Sequence, residues 1–377
     1  MLYFEMKFVE TTIFCIEHLT DHYRKGATSV HKTIAVAMSG GVDSSAAALL
    51  LQEQGHRILG LTLEMFHRDV PSTDIADAKA VADQLGFPHY AFDFSPCFAR
   101  EVMDRFVLAY EQGCTPNPCV DCNKHIKFGA LLDKALELGA DAIATGHYAR
   151  IEEQNGRYLL RKALHPEKDQ SYVLWGLNQF QLGHTVLPLG GLSKEEIRAA
   201  AAGHGLVSAH KSDSQDICFV PDGDYAAFIR RHTNRDYPCG EFLSPCGKVL
   251  GQHEGIVNYT LGQRRGLGVS SNQGRLYVTD IDPQANTVVL GPNEDLFATT
   301  LVADGINLIP FDSIPSPMRL KAKVRYRMPE QPCTVEQTGP DTIRVTFDQP
   351  QRAITPGQSV VLYDGDYVVG GGVIRRV

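Results

Sequence analysis

The chain has 377 residues, 43% hydrophobic and 21% charged, which suits two or three domains with their own cores and excludes a disordered or low-complexity polypeptide. Its net charge of −8, from 36 Lys and Arg against 44 Asp and Glu, argues against nonspecific nucleic-acid binding, so any RNA surface has to be a local basic patch on an acidic body. Nine cysteines, with no secretory leader and no apolar run near the length of a membrane span, favour reduced thiols, a metal site or catalysis in a cytoplasmic protein over a disulfide framework.

Residues 1–31 read as an N-terminal extension, too interrupted by Glu5, Glu10, Glu17 and Asp21 for a transit peptide. Thr33 to Met38 is a short apolar run that reads as a buried strand, broken by Ser39-Gly40-Gly41. The spacing then predicts a helix from Asp43 to Gln54, a strand from His56 to Leu63, a helix from Asp74 to Leu85 capped by Gly86, and a strand from His89 to Phe94. Helices follow from Pro96 to Gln112 and from Ile126 to Leu138, then a strand from Asp141 to Thr145. Such alternation points to a parallel sheet covered by helices on both faces. A hairpin is expected over Ala149–Ile151 and Tyr158–Arg161, turning at Asn155-Gly156, and a helix from Ser193 to His204 opens with a capping box of Ser193 and Glu196. Beyond residue 240 strands and Gly/Pro turns dominate, and Leu301 to Val377 reads as a small barrel or sandwich.

Ser39-Gly40-Gly41-Val42-Asp43-Ser44-Ser45 lies between a strand and a helix. Glycines there let backbone N–H groups approach an anion, and the helix N-terminus adds partial positive charge. No Lys follows the glycines, so this is not a Walker A loop. A plain strand-to-helix turn is the alternative. The segment resembles the pyrophosphate loop of the ATP-pyrophosphatase superfamily, whose members adenylate a substrate and release pyrophosphate.

Cys119 and Cys122 form a C-x-x-C just before the helix expected from Ile126, approached through Pro116 and Pro118, and Cys218 stands in a polar loop far along the chain. Thiols near a helix N-terminus are more nucleophilic than usual. A zinc or iron-sulfur site, a redox pair, sulfur transfer between Cys122 and Cys218, and a structural pair all remain open on spacing alone. Cys239 and Cys246 have no partner histidine at finger spacing and read as packed thiols. From Arg319 to Arg327, basic residues take every odd position and Leu320, Ala322, Val324 and Tyr326 the even ones. On one strand that gathers five positive side chains on a single face, which suits an RNA backbone better than plain solvation. Arg264, Arg265, Arg230 and Arg231 are candidates to extend it.

The glycine loop, Gly113 to Lys124 (Gly-x-Thr-Pro-Asn-Pro-x-x-x-Cys-Asn-Lys), Ala144-Thr-Gly-His-Tyr, Lys168-Asp-Gln-Ser-Tyr, Asp213-Ser-Gln-Asp-Ile-Cys-Phe, Gly262-Gln-Arg-Arg-Gly-Leu and Thr355-Pro-Gly-Gln together, in this order, resemble the bacterial tRNA-specific 2-thiouridylase family from about residue 33 to the C-terminus. The resemblance implies an α/β fold. An adenine nucleotide alpha hydrolase-like (PP-loop) domain would span residues 32–220, a small central domain 221–295 and a C-terminal β-barrel domain 296–377. It implies a cytoplasmic enzyme that uses ATP with Mg2+ to adenylate C2 of the wobble uridine in glutamate, glutamine and lysine tRNAs. Sulfur would come from a cysteine desulfurase or a sulfur carrier protein. By the same resemblance Cys218 carries the persulfide and Cys122 is the nucleophile that resolves it through a transient disulfide. Ala37, Met38, Ser39, Gly40, Gly41, Val42, Asp43, Ser44, Leu63 and Gly146 would line the nucleotide. Asn117, Pro118, Cys119, His147, Lys168, Asp169, Gln170, Arg325, Tyr326 and Gln358 would lie against tRNA, with His147 equally readable as a hydrogen-bonded structural histidine.

One departure stands out: the family often has Asp where this chain has Cys119. A general-base role there is in doubt. The substitution also completes a set of three thiols, Cys119, Cys122 and Cys218, that an iron-sulfur cluster of the 4Fe-4S type could use, as in related thiolation enzymes. An ATP-regulated RNA-binding protein with structural zinc is the reading from outside enzyme chemistry.

Overall fold

The computed structural model describes residues 31–66, 73–209, 217–269 and 274–376. The expected N-terminal extension, save residue 31, and residues 213–216 of the Cys218 motif lie outside them. The chain forms two compact units. One draws on Met1–Pro96, His125–Ser171 and Gln179–Ser214, the other on Cys97–Lys124, Tyr172–Asn178 and Gln215–Val377.

In the first unit the apolar runs become strands β1 (Thr33–Ala37), β2 (Arg57–Glu64), β3 (His89–Asp93) and β4 (Ala142–Ala144). The hairpin strands β5 (Ala149–Gln154) and β6 (Arg157–Lys162) and the short β7 (Thr185–Val186) follow. A parallel sheet runs in the order β3-β2-β1-β4-β7. Ile34, Ala35 and Val36 are fully buried at its centre, whereas β3 at the edge is largely exposed, as expected of a strand paired on one side. The Val42–Glu53 helix packs closely because Ala46, Ala47 and Ala48 present almost no side-chain bulk, and with Val81, Ala82, Ile197 and Ala201 it closes the core. The sheet order reverses between β1 and β4, so their C-terminal ends form the topological switch point where open α/β sheets bind ligands. Asn155 and Gly156 both have positive φ, 53° and 76°, the pattern of the turn that the hairpin reading anticipated. The Ser193–Glu196 capping box is present with both of its bonds.

The expected helix from Ile126 instead begins at Pro118, passes through a π-helical stretch, Cys122–Ala130, and ends as Leu131–Glu137. Local chemistry explains the earlier start. Asn117 caps it by accepting from the Cys119 N–H at 3.2 Å, and Pro118 takes the first helical position, where its fixed φ costs nothing. Cys119 and Cys122 are therefore inside the helix rather than ahead of it.

The second unit contains β8 (Gly240–Leu243), β9 (Val249–His253), β10 (Tyr277–Asp282) and β11 (Thr287–Gly291), a sheet in the order β10-β11-β8-β9. The tail supplies β12 (Phe297–Leu308), β13 (Met318–Lys323), β14 (Gln331–Gly339), β15 (Thr342–Arg352), β16 (Ser359–Asp364) and β17 (Tyr367–Ile374). These run β12-β15-β14-β13-β16-β17, and β12 also pairs with β17, so the six antiparallel strands close into a barrel. Its interior holds Leu320, Ala322, Cys333, Val335, Ile343, Val345 and Phe347, the inward halves of alternating strands.

Two expectations need correction. The basic stripe does not lie on one strand, because β13 ends at Lys323. Arg319 is paired with Asp348 at 2.6 Å, and Arg325 turns inward to backbone carbonyls, so the repulsion of five aligned cations never arises. Cys239 and Cys246 are exposed near the ends of β8, whereas Cys333 is fully packed, its S–H donating to the Leu320 carbonyl. Among the described residues no helix is long and apolar enough to cross a membrane.

Candidate active site

The glycine loop leaves β1 at the switch point. Gly40 has φ +71°, which ordinary residues rarely adopt, and Gly41 caps the Val42–Glu53 helix without any side-chain bond to its first N–H groups. Ser44 Oγ and Ser45 Oγ both donate to the Gly41 carbonyl, at 3.1 and 2.9 Å, and the Ser39 N–H donates to Ser44 Oγ at 3.2 Å. The serines shape the loop. The N–H groups of the first turn are left for an anion. A Cβ added at Gly41 would meet only Ser39 Oγ, at 3.5 Å, so the glycine keeps open space rather than a packed contact. The residues present fit the phosphates of a nucleotide. Met38 and Val42 flanking the loop are buried, Ala37 at the end of β1 is half-buried, and so is Leu63 near the C-terminal end of β2.

Asp43, the first-turn carboxylate, accepts from Tyr148 Oη at 2.8 Å and from Lys194 Nζ at 2.7 and 2.9 Å. Lys194 is only 5% exposed. The sequence reading passed over it, although a signal existed: a lysine as first residue of a helix opposes the helix dipole and has to be compensated by something acidic. Gly146 follows β4 and lies against the start of the Val42–Glu53 helix, since a Cβ there would stand 2.8 Å from Asp43 Cβ and 2.9 Å from the Ser44 nitrogen. The Tyr148 N–H donates to Gln170 Oε1 at 2.9 Å, and Asp169 accepts from the Ala163 N–H and the Ser171 hydroxyl. The Lys168-Asp169-Gln170 motif is thus a locked turn whose glutamine is bonded to the tyrosine holding Asp43.

His147 is 9% exposed, its Nδ1 lies 2.7 Å from Thr145 Oγ1, and its ring stands 5.8 Å from Phe128. Burial, and secondarily Lys127, hold the imidazole well below its ordinary range, so it is neutral. The unfolded chain takes up this proton from pH 6.5 downward while the folded one does not, so stability falls as pH drops below that value. Urea unfolding from pH 5 to 7 is expected to show a pH slope that His147→Gln lessens by up to about 1.4 kcal/mol per pH unit. Equal slopes in both proteins would mean that the ring charges freely in the fold.

The second unit holds the thiols. Cys119 is exposed and Cys122 is 8% exposed on the Pro118 turn, which packs against Ala99–Met103. Asp121 between them is pushed up to about 6, chiefly by burial, with Arg105 and Lys124 acting in the opposite sense. Cys218 is exposed, but Phe219 beside it is anchored among Phe98, Phe106 and Phe228, at centroid separations of 5.7, 5.4 and 4.9 Å. The helix containing Phe98 and Phe106 therefore borders both thiol segments. No disulfide joins the cysteines among the described residues. Among the described residues, no three or more Cys, His, Asp or Glu side chains group so as to hold a metal ion.

Of the other residues assigned to RNA by resemblance, Asn117 is used as the helix cap and Pro118 is buried. Arg325 donates to the Leu261 and Ala353 carbonyls and to Thr355 Oγ1, the last at 2.6 Å. Tyr326 is exposed, with its ring 5.7 Å from that of Tyr172. Gln358 donates to the carbonyls of Thr115 and Pro116 at 2.8 and 3.1 Å. Lys321 and Arg327 are exposed, as are Arg264 and Arg265.

Family models match the chain in three consecutive stretches: a tRNA methyl transferase HUP domain over residues 32–222, a tRNA methyl transferase PRC-barrel domain over 226–292, and an aminomethyltransferase beta-barrel domain over 298–374. The tRNA-specific 2-thiouridylase MnmA of Clostridioides difficile (strain 630) is 46% identical over 92% of this chain and 99% of its own length. MnmA 1 of Caldanaerobacter subterraneus subsp. tengcongensis is 49% identical over 92% of this chain and 99% of its length. Among solved structures, the U34-tRNA thiolase NcsA from Methanococcus maripaludis with its 4Fe-4S cluster covers 60% of this chain and 72% of its own. With 19% identity and a TM-score of 0.37, that likeness is too partial to carry an argument. Near-half identity along almost the whole length, with the glycine loop at the switch point of a parallel sheet and a closed barrel formed by the last six strands of the sequence, places this chain in the tRNA-specific 2-thiouridylase family.

Proposed function

We propose that this protein is a tRNA-uridine 2-sulfurtransferase that consumes ATP, releases AMP and pyrophosphate, and converts a wobble uridine to 2-thiouridine. The observation that carries the reading is the uncapped helix start behind Gly40-Gly41, at the switch point of the sheet, in a chain so similar to named thiouridylases. The C2 oxygen of uridine is a hopeless leaving group, and attack by that oxygen on the α-phosphorus of ATP turns it into AMP, a good one. ATP is taken with Mg2+. The loop's N–H groups hold the phosphates, and the Asp43–Lys194 pair sets the charge at the mouth.

Cys218 carries the incoming sulfur as a persulfide. Its outer sulfur attacks C2 and expels AMP, leaving the base joined to Cys218 through an S–S bond. The Cys122 thiolate then attacks Cys218 Sγ, which releases the sulfur on the base as the thiocarbonyl and leaves a Cys122–Cys218 disulfide for an external reductant. The exposure of Cys218 supports the first role, because a donor protein has to reach it. A cysteine desulfurase or a sulfur carrier is that donor, and the cytoplasm the compartment. The substrates are the glutamate, glutamine and lysine tRNAs, and the target base is flipped out of its stack beside Cys119. Lys321, Arg327, Arg264 and Arg265 supply the local basic surface that an acidic protein needs for RNA. The three-part division at 32–220, 221–295 and 296–377 belongs to the same proposal.

In vitro thiolation of such a tRNA with ATP, a reductant, and a cysteine desulfurase with cysteine, which delivers sulfur already at the persulfide level, tests it, run with and without anaerobic iron. The expected result is ATP-dependent sulfur incorporation with AMP and pyrophosphate as products and no requirement for iron. RNA that binds but never gains sulfur would overturn the activity, and a strict iron requirement would overturn the persulfide chemistry.

A further inference from the structure

Residues 145–148 join two parts of the first unit. At one end Gly146 lies against the first turn of the Val42–Glu53 helix, so close that a Cβ would stand 2.9 Å from the Ser44 nitrogen. At the other end Tyr148 is bonded twice to Gln170. Its N–H donates to Gln170 Oε1 at 2.9 Å, and its carbonyl accepts from the Gln170 N–H at 2.8 Å. The turn that carries Gln170 is itself held. Asp169 accepts from the Ala163 and Ser171 N–H groups at 2.9 and 3.3 Å and from the Ser171 hydroxyl at 2.8 Å, which ties the turn to the chain just after β6. The Lys168 N–H donates to the His165 carbonyl at 3.0 Å.

From this fixed backbone the Tyr148 side chain reaches Asp43. Tyr148 is 2% exposed, and its hydroxyl donates to Asp43 Oδ1 at 2.8 Å. Lys194 Nζ bonds both carboxylate oxygens and stands 6.0 Å from the centroid of the Tyr148 ring. The two donors differ in what they contribute. The lysine supplies charge on a flexible stem that can follow the carboxylate. The tyrosine supplies place, because a packed ring with two side-chain torsions has little freedom to move. Asp43 stands in the first turn of the helix whose N–H groups face the phosphates, so the direction of its carboxylate sets how much negative charge they meet.

We propose that Tyr148 is a positioning residue for the nucleotide, holding the Asp43 carboxylate from a backbone that the Lys168–Gln170 turn fixes. The turn then has a task on the ATP side in addition to the tRNA contact that the family resemblance gives it. The idea rests on the sulfurtransferase reading for its effect on rate, and on geometry alone for its effect on ATP binding. In that reaction the uridine oxygen has to meet the α-phosphorus in line, and a misplacement of about 1 Å costs on the order of a hundredfold.

The test uses the full chain. Tyr148→Phe removes the hydroxyl and keeps the ring beside Lys194. Gln170→Leu removes the acceptor of the Tyr148 N–H. Gln179→Leu is the control, since Gln179 makes the same kind of double bond, at 2.9 Å each, to the backbone of Tyr158 in the β5–β6 hairpin. Equilibrium ATP binding is measured without RNA, and hydrogen exchange of the peptide spanning residues 39–47 is followed without any ligand. We expect ATP affinity to fall at least fivefold in Tyr148→Phe and in Gln170→Leu, with exchange of that peptide at least fivefold faster, and neither to change in Gln179→Leu. The double variant should be little worse than either single one, because both break one link. At saturating ATP and tRNA the single-turnover rate of AMP formation in Tyr148→Phe should fall at least tenfold, with tRNA affinity within twofold of the parent. If Gln170→Leu does not fold, Tyr148→Phe decides. Unchanged ATP affinity and exchange in Tyr148→Phe would overturn the proposal. So would an effect of Gln170→Leu confined to tRNA binding, additive losses in the double variant, or equal losses in Gln179→Leu. A parent protein that binds ATP but never thiolates RNA would sink the activity alone, and the binding and exchange results would still decide the role of Tyr148.

Discussion

Cys218→Ser and Cys122→Ser are each expected to lower tRNA thiolation at least a thousandfold while leaving ATP binding intact, but to stop the reaction at different points. Without Cys218 no persulfide forms, so radioactive sulfur offered by a desulfurase stays off both protein and RNA. Without Cys122 the first transfer still occurs, and the base remains tied to Cys218 through an S–S bond that dithiothreitol opens. Gel electrophoresis without reductant would then show a protein–RNA species in Cys122→Ser only. The different surroundings support the division of labour: Cys218 is exposed beside an anchored Phe219, where a donor protein can reach it, while Cys122 is almost fully covered and spared from competing oxidation. Wild-type turnover in either variant would refute the assignment.

The Asp43–Lys194 pair gives the second large effect, with opposite orders for two measurements. Lys194→Met leaves a carboxylate facing the place where phosphates bind, and Asp43→Asn leaves an ammonium there. AMP formation is expected to fall at least a hundredfold in Lys194→Met, with weakened ATP binding, and less in Asp43→Asn; the double variant should bind ATP more tightly than Lys194→Met alone. Stability should rank the other way. The lysine side chain is 6% exposed and the aspartate 29%, so removing Asp43 takes a counter-charge from the more deeply buried ion. That costs about 3 kcal/mol, and removing Lys194 costs less because water still reaches part of the carboxylate. Equilibrium ATP binding and urea unfolding on the three variants measure both orders. If Asp43→Asn is the weaker ATP binder, Lys194 does not serve the nucleotide.

Much of the candidate site was legible beforehand because its parts are local. A glycine pair between an apolar run and a helix specifies a loop with exposed N–H groups wherever it occurs, and the parallel sheet followed from the alternation of elements. The thiols were legible as residue types. The helix start at Pro118 could have been read from Asn117-Pro118, a cap followed by a first-turn proline. The basic stripe failed for a different reason. Alternation from Arg319 to Arg327 is the signature of a strand, yet the strand needs partners, and the pairings of β13 with β14 and β16 stop at Lys323.

The sequence by itself determined the order of elements, the glycine loop, the thiol positions and the hairpin turn at Asn155-Gly156, all of which depend on residues within a few positions of one another. Only the tertiary structure decided which distant groups meet. It set Lys194 on Asp43 across 151 residues and Gln358 on Thr115 across 243, and it turned the half-buried Arg325 to backbone carbonyls. Such partners are chosen by how strands close into a sheet or barrel, and a hydrogen bond or ion pair between remote residues leaves no periodic trace along the chain.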